Sequence, residues 1–487
     1  MTRGLPESRL LWKIKERVRE KQIQKLKLQQ SSADLFSHVT EGTLQQKLDH
    51  FNKQDTSFFT QRFLVNEKFW QRPNGPVFLF VGGEGPISVY DVVAGHHVDL
   101  AKHHGALLLA LEHRFYGDST TPDALQIESL VHLSSQQALT DLVVFHQFIS
   151  SKFSLSSRNT WISFGGSYSG ALSAWFRGKF PHLVFGAVAS SAPVKAKLDF
   201  SEYNQIVGLS LKNENIGGSV KCFAEVQKAF SILETELMFG NSTRVGQDFN
   251  CCQDLTNMDD KRELVQSLAD IFMGTVQYNE EVWLMSVREV CDLMTNSSDA
   301  QSSYDQLIKL AQVHFSIFHS PCVDVSHEAA VRDLMDTSER SGRRGERQWM
   351  YQTCSEFGFY QTCEDCSCPF SAMLTLDSYT RLCTEVFGIS QNSLLSHIAF
   401  TNAFYGADDP RTFRVLYVNG GVDPWQALSV VQDGTEERGE TVFIQDTAHC
   451  ADMLNSRPTD RRSLTEARQE IARLVSSWLK MAALSST

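Results

Sequence analysis

The sequence predicts an α/β protein with a mostly parallel sheet, and three observations predict it. Short, wholly apolar runs end at glycine or charged loop residues, helix-length segments separate the early runs, and the last segment carries a helical apolar stripe. An apolar run without polar alternation is the pattern of a strand covered on both faces. Val77-Phe78-Leu79-Phe80-Val81 leads straight into Gly82-Gly83-Glu84-Gly85-Pro86 and reads as a buried strand delivering a loop. The pattern recurs at residues 106 to 111, 160 to 164, 185 to 189, 413 to 418 and 441 to 445. Helical connections between the early strands make βαβ units and hence parallel pairing. Ile471, Leu474, Val475, Trp478 and Leu479 fall at i, i+3, i+4, i+7 and i+8, which predicts a C-terminal amphipathic helix lying on the sheet.

Residues 197 to 399 interrupt that series. They contain helix-forming stretches at 224 to 237 and 261 to 272, no clear strands, and ten of the 11 cysteines. At roughly 150 residues per domain the length alone would suggest about three domains. The interrupted strand series reduces this to one core, 43–196 plus 400–487, with a helical cap inserted at 197–399 that packs back on the core from about 345. Residues 1–42 form a separate basic segment. The charged, Gly-containing stretch 338 to 347 reads as an exposed loop.

Composition excludes several functions. With 42% apolar and 21% charged residues the chain is globular. A net charge of -12 is poor for a nucleic-acid binder, which needs cationic surface. No apolar run reaches the ~18 residues of a membrane span, so no integral membrane segment is expected.

The clustered cysteines and the sequons at Asn241 and Asn296 point to an oxidising, secretory-pathway environment. Cys363 and Cys366 have a zinc-ligand spacing, but no second pair or His-x₃₋₅-His partner follows, and no metal is expected. The N-terminus does not match an export signal, because residues 1 to 28 hold nine Lys/Arg and three Asp/Glu that interrupt every apolar stretch. The simplest account is an unusual first segment standing where a signal would be. Leu11, Ile14 and Val18 have helical spacing, so the alternative is a basic amphipathic helix for a membrane surface or for organelle targeting.

Residues 160 to 164 are followed by Gly165-Gly166-Ser167-Tyr168-Ser169-Gly170 and a helix-forming stretch. A strand, a sharp glycine turn carrying serine, and a helix compose the nucleophile elbow of α/β-hydrolases. Ser169 stands where the motif has its second glycine, and is small enough to pack there. In this fold the acid and then the base follow the serine along the chain. Asp423, after the strand ending at 418, and His449, after the strand ending at 445, fit that order. The oxyanion donors expected are the backbone N–H groups of Tyr168 and of the 82 to 85 loop, with Gly83 chosen. Glu112, His113 and Arg114 read as an ion-pair cluster beneath the site.

Five motifs carry a resemblance: residues 82 to 85, 112 to 117, 165 to 168, Trp349-Met-Tyr351-Gln352-Thr-Cys354-Ser-Glu356, and Asn419-Gly-Gly-Val-Asp423-Pro424-Trp425. From about residue 43 onward the chain resembles the family of lysosomal prolylcarboxypeptidase and dipeptidyl-peptidase II. Residues 355 to 360 and 449 to 453 most resemble its thymus-specific branch. The resemblance implies a serine peptidase with an α/β-hydrolase core and helical cap, sent to endosomes or lysosomes, with Ser167, Asp423 and His449 as the triad and no cofactor. It also implies disulfides Cys354–Cys383, Cys222–Cys291 and Cys322 with Cys251 or Cys252, leaving Cys363, Cys366 and Cys368 open. The odd cysteine count implies a free thiol, for which Cys450 is one candidate.

Glu84, Glu356 and Trp425 are the expected substrate-binding residues. A carboxylate that neutralises a substrate's α-amino group favours release of N-terminal dipeptides over carboxypeptidase action. Relatives continue after the catalytic histidine with a second His and a later Arg, where this chain has Cys450 and Met453, so proline specificity does not transfer directly. The competing functions are a prolylcarboxypeptidase-like carboxypeptidase, an esterase or lipase of the same fold, and an idle peptide-binding protein. Expected partners are peptide substrates and a second copy of the chain in a homodimer.

Overall fold

A computed structural model describes residues 10–29, 37–280, 284–296, 302–338, 341–342, 345–431 and 439–485. Among the described residues ten strands are seen: β1 (Val39–Lys47), β2 (Phe58–Asn66), β3 (Val77–Val81), β4 (Leu107–Leu111), β5 (Trp161–Gly166), β6 (Gly186–Ser190), β7 (Lys197–Asp199), β8 (Gly358–Tyr360), β9 (Val415–Gly420) and β10 (Glu440–Ile444). Eight of them form one sheet in the order β1-β2-β4-β3-β5-β6-β9-β10. From β4 to β10 every pairing is parallel. This is an α/β-hydrolase core, and all six strands read from apolar runs lie in it.

Sequence reasoning missed β1 and β2. They pair antiparallel with each other, and β2 pairs antiparallel with β4. β1 reads Val-Thr-Glu-Gly-Thr-Leu-Gln-Gln-Lys and buries only Leu44 and Gln46, so it has no apolar run to signal it. Its register runs from Val39 opposite Asn66 to Lys47 opposite Phe58, so the sheet begins ahead of residue 43.

Apolar layers cover both faces of the sheet. On one side the helix Arg462–Ser485 buries Ile471, Leu474, Val475 and Trp478 against β-strand residues including Ile162, Val188 and Leu416. Trp478 reaches the backbone of β6, where a Cβ on Gly186 would fall 2.6 Å from its ring. On the other side the helices Ser135–Lys152 and Tyr168–Lys179 pack into the cluster that continues into the cap.

The cap is built on the helices Glu202–Lys212, Val220–Phe239, Met258–Gln277, Val287–Thr295 and Ser303–Ile317. Two short strands occur where none was expected: β7 and β8 pair in parallel as a separate two-stranded sheet, and just before β8 Gln348 donates to the Phe115 carbonyl of the core. The stretch expected as an exposed loop instead contains Ser341 and Arg347, both buried; Arg347 is drawn in by the Leu125 carbonyl at 2.9 Å. Residues 339, 340, 343 and 344 of it lie outside the described residues.

Four disulfides join Cys222–Cys291, Cys252–Cys322, Cys354–Cys383 and Cys363–Cys368. Cys322 thus takes Cys252. Cys251, Cys366 and Cys450 are free thiols, and burial pushes Cys251 up to about 12. Asn241 and Asn296 are exposed at helix ends; Ser297 and Ser298 of the second sequon lie outside the described residues. No described helix is long and apolar enough to cross a membrane.

Trp478→Ala should cost about 3–5 kcal/mol in urea denaturation, the range for a large aromatic removed from a core. Gly186→Ala should destabilise the native chain but have a much smaller effect in the Trp478→Ala background, because the ring it strikes is gone.

Candidate active site

β5 delivers Ser167 into an unusual conformation. Its φ of 60° and ψ of −132° lie in a region that non-glycine residues rarely occupy, and the helix Tyr168–Lys179 starts immediately after it. The neighbouring glycines explain how the turn closes. A Cβ on Gly165 would sit 2.2 Å from the Ser169 carbonyl, and one on Gly170 would sit 2.8 Å from the Ser190 carbonyl. The strand end and the first helical turn therefore touch backbone to backbone. Ser169, in the second-glycine position, fits by turning its Oγ onto Gly166, which donates its N–H at 2.9 Å. The Ser167 N–H donates to the Ser190 carbonyl at 2.9 Å and ties the turn to β6.

Asp423 follows β9 and is fully buried; its Oδ1 accepts the Trp425 N–H at 3.0 Å and lies 2.9 Å from His449 Nδ1. His449 follows β10. Burial alone would depress its imidazole, but the Asp423 carboxylate and the Cys450 sulfur together outweigh it and hold the ring well above the ordinary histidine value. The loop that carries His449 sits against the elbow, since a Cβ on Gly166 would lie 2.9 Å from the sulfur of the next residue, Cys450, and 2.5 Å from Met453 Sδ.

The cap contributes residues that sequence reasoning missed. The Gln277 carbonyl accepts the His449 N–H at 3.0 Å. Gln277 Oε1 accepts from Trp425 Nε1 at 3.0 Å and from the Tyr203 hydroxyl at 2.6 Å. A single glutamine on a cap helix thus holds both the His449 and the Trp425 loops, and no local motif announces it. Trp425 itself is buried, with its ring centroid 6.4 Å from that of His449.

The loop after β3 lies over the elbow. A Cβ on Gly83 would come within 3.1 Å of Ser169 Cβ, and the Gly82 N–H is taken by the Leu111 carbonyl at 2.9 Å. Glu84, next in this loop, accepts Lys15 Nζ at 2.6 Å. Burial pushes the Glu84 carboxyl up, yet the Lys15 charge more than offsets this and keeps it below its usual value.

Glu356 does not reach the position expected for it. Its carboxylate is buried and turned into the protein, accepting the Ser135 N–H at 2.9 Å, Ser135 Oγ at 2.6 Å and Gln352 Nε2 at 3.2 Å. Gln352 continues to the Tyr168 hydroxyl at 3.0 Å, and that oxygen lies 3.0 Å from His113 Nε2. Glu356 therefore anchors a polar network behind Tyr168, because a carboxylate this deep must spend its lone pairs on internal donors. Glu112 and Arg114 are likewise structural. Glu112 accepts Arg62 Nη2 at 2.8 Å, and Arg114 forks onto both oxygens of Asp141 at 2.7 Å each.

Burial raises Glu356 to about 7. A folded value above the unfolded one gives stability that is complete below the ordinary carboxyl range and is lost as pH rises through about 7. Relative to Glu356→Gln, the unsubstituted protein should therefore lose stability between pH about 4.5 and about 7, by on the order of 3 kcal/mol in denaturation midpoints converted to free energy.

The serine carboxypeptidase S28 family pattern matches residues 46–471. The chain is 42% identical over 448 residues to the thymus-specific serine protease of Homo sapiens, spanning 91% of this chain and 87% of that protein. Against the thymus-specific serine protease of Mus musculus the identity is 41%, over 90% of this chain and 87% of the other. The lysosomal Pro-X carboxypeptidase of Mus musculus is 26% identical, over 89% and 88% respectively. Because the match runs through sheet and cap alike, at a level no shared fold alone would produce, this chain belongs to the serine carboxypeptidase S28 family and is a serine-type peptidase.

Proposed function

We propose that Ser167 is the nucleophile, His449 its general base and Asp423 the residue that orients the imidazole, in a peptidase that releases N-terminal dipeptides. The observation that carries this reading is the Asp423–His449 hydrogen bond at 2.9 Å beside a serine held at a φ of 60°. His449 Nε2 takes the Ser167 proton as Oγ bonds to the scissile carbonyl carbon, and returns it to the amine as the C–N bond breaks. Water then repeats the sequence on the acyl-enzyme, freeing the acid and Ser167. The tetrahedral oxyanion is received by the N–H groups of Tyr168 and Gly83. Tyr168 begins a helix, whose N-terminal end favours negative charge, and Gly83 is the next amide after one already committed to Leu111.

Glu84 is proposed to receive the substrate's α-ammonium. A buried carboxylate next to the elbow loop that already accepts one ammonium is suited to that ligand, and its distance along the substrate would set where the chain is cut. Trp425 lines the wall beside His449. Glu356 supports Tyr168 from behind. Four disulfides and the lysosomal Pro-X relative favour a secretory or endosomal setting. The raised His449 value favours the less acidic part of that route, since only neutral imidazole accepts a proton.

Three outcomes are expected. Asp423→Asn should lower kcat by about 10⁴-fold with the fold intact, the effect of losing the correct imidazole tautomer. From pH about 5.5 to about 7.5, kcat/KM should rise by up to about tenfold per unit as His449 loses its proton. Free-amine Xaa-Pro and Xaa-Ala substrates should be cleaved and their N-blocked forms rejected, with Glu84→Gln raising KM for the free amines. Cleavage that ignores N-blocking and requires a free C-terminal carboxylate would support carboxypeptidase action instead.

A further inference from the structure

The helix Leu10–Gln29 has no part in the proposed chemistry, yet it spans two walls of the site. Toward the hydrolase core, Lys15 Nζ lies 2.6 Å from Glu84 Oε1, and the Arg19 guanidinium donates to the Pro86 carbonyl. Toward the cap, the Leu11 N–H donates to Asp270 Oδ2 at 3.1 Å on the helix Met258–Gln277. Ile14 is fully buried on that same helix, where a Cβ on Gly274 would lie 2.6 Å from its Cδ1. Gly274 is one turn before Gln277, which holds the His449 backbone, and Tyr278, whose ring lies 6.2 Å from the His449 ring. The buried face is Leu10, Ile14 and Val18, and it packs on protein, where the alternative reading of this segment placed a membrane-surface or targeting helix.

We propose that the groove between residues 84 to 86 and the Gly274 face of the cap helix is a binding site for a cationic peptide segment, that the chain fills it with its own N-terminal helix, and that Lys15 occupies the place of the substrate's ammonium. The proposal rests on the reading of Glu84 given above. An ε-ammonium and an α-ammonium present the same charge and the same three donors, so they compete for the Glu84 oxygen that Lys15 occupies. The pair is open to solvent on the Lys15 side, which keeps 33% of its side chain exposed against 11% for Glu84, and an incoming ammonium that takes over the carboxylate leaves no buried charge unpaired. A segment with nine Lys/Arg in residues 1 to 28 is well matched to a chain whose total charge is -12. The resting enzyme then carries an internal competitor, and access to Ser167 is reduced by the fraction of molecules in which the helix is seated.

The test uses the full chain carrying Lys15→Gln with Arg19→Gln, and Ile14→Ala as a second variant that loosens the apolar contact without changing charge. Arg17→Gln is the control, because Arg17 pairs along the helix with Glu20. Ser167 labelling by a small fluorophosphonate, which has no ammonium, reports access alone. Both variants should label about tenfold faster, as expected for relief of a mostly seated competitor, and the control should not change. A synthetic peptide of residues 10 to 29 should slow labelling of the double variant, and the same peptide with Lys15→Gln should do so more weakly. Unchanged or slower labelling in both variants at an unchanged Tm overturns the proposal, as does a peptide without effect. Faster labelling with equal gains on free and N-blocked substrates would retain the occluding helix and remove the ammonium role of Glu84. Unchanged labelling with N-blocked substrates still rejected would do the reverse.

Discussion

The backbone contact between the end of β5 and the first turn of the following helix is the constraint on which the site depends. Gly165 and Gly170 leave room for it, since a methyl group on Gly165 would meet the Ser169 carbonyl oxygen at 2.2 Å and one on Gly170 the Gly165 carbonyl oxygen at 3.0 Å. Only with that contact closed can Ser167 be held at its φ of 60° at the head of the following helix. The strain stored in one residue is offset by the sheet and helix on either side, both of which are buried in the protein's largest apolar layers.

Around that turn the protein arranges its polar groups in two tiers. In front are Asp423, hydrogen-bonded to His449, and Glu84, paired with Lys15. Behind them lie Glu356, Gln352, Tyr168, His113 and Ser135, joined by hydrogen bonds of 2.6 to 3.2 Å. The rear tier is what lets an aromatic residue sit at the head of the elbow helix with its hydroxyl satisfied. The cap adds a third hold through Gln277, so movement of the Met258–Gln277 helix would be felt directly at His449 and Trp425.

Much of this was legible in the residues. The central parallel strands declare themselves because both faces are covered, as in the unbroken apolar run Val77–Val81, and the edge strand β10, with Phe443 exposed, is legible more from its place after the others. The elbow declares itself because close backbone contact demands glycine. The order of Ser167, Asp423 and His449 follows from strand ends that can be counted. The parts that were not legible share a physical cause, namely that they depend on partners distant along the chain. β1 is recognisable only opposite β2. Sequence leaves both sides of Tyr168 open to Glu356, and only the donors of Ser135, far away along the chain, assign it to the rear. Gln277 matters only because a cap helix folds onto two core loops. Lys15 was visible as one charge in a basic segment, but nothing near it in sequence points to Glu84.

The measurement that tests the account most directly is identification of the residue modified when the intact chain reacts with a fluorophosphonate, by mass spectrometry of the digested protein. A single adduct on Ser167 that disappears in His449→Ala is predicted, since the hydroxyl is reactive only while that imidazole can take its proton. An adduct on Ser169, or modification of Ser167 that persists at the same rate without His449, would contradict it.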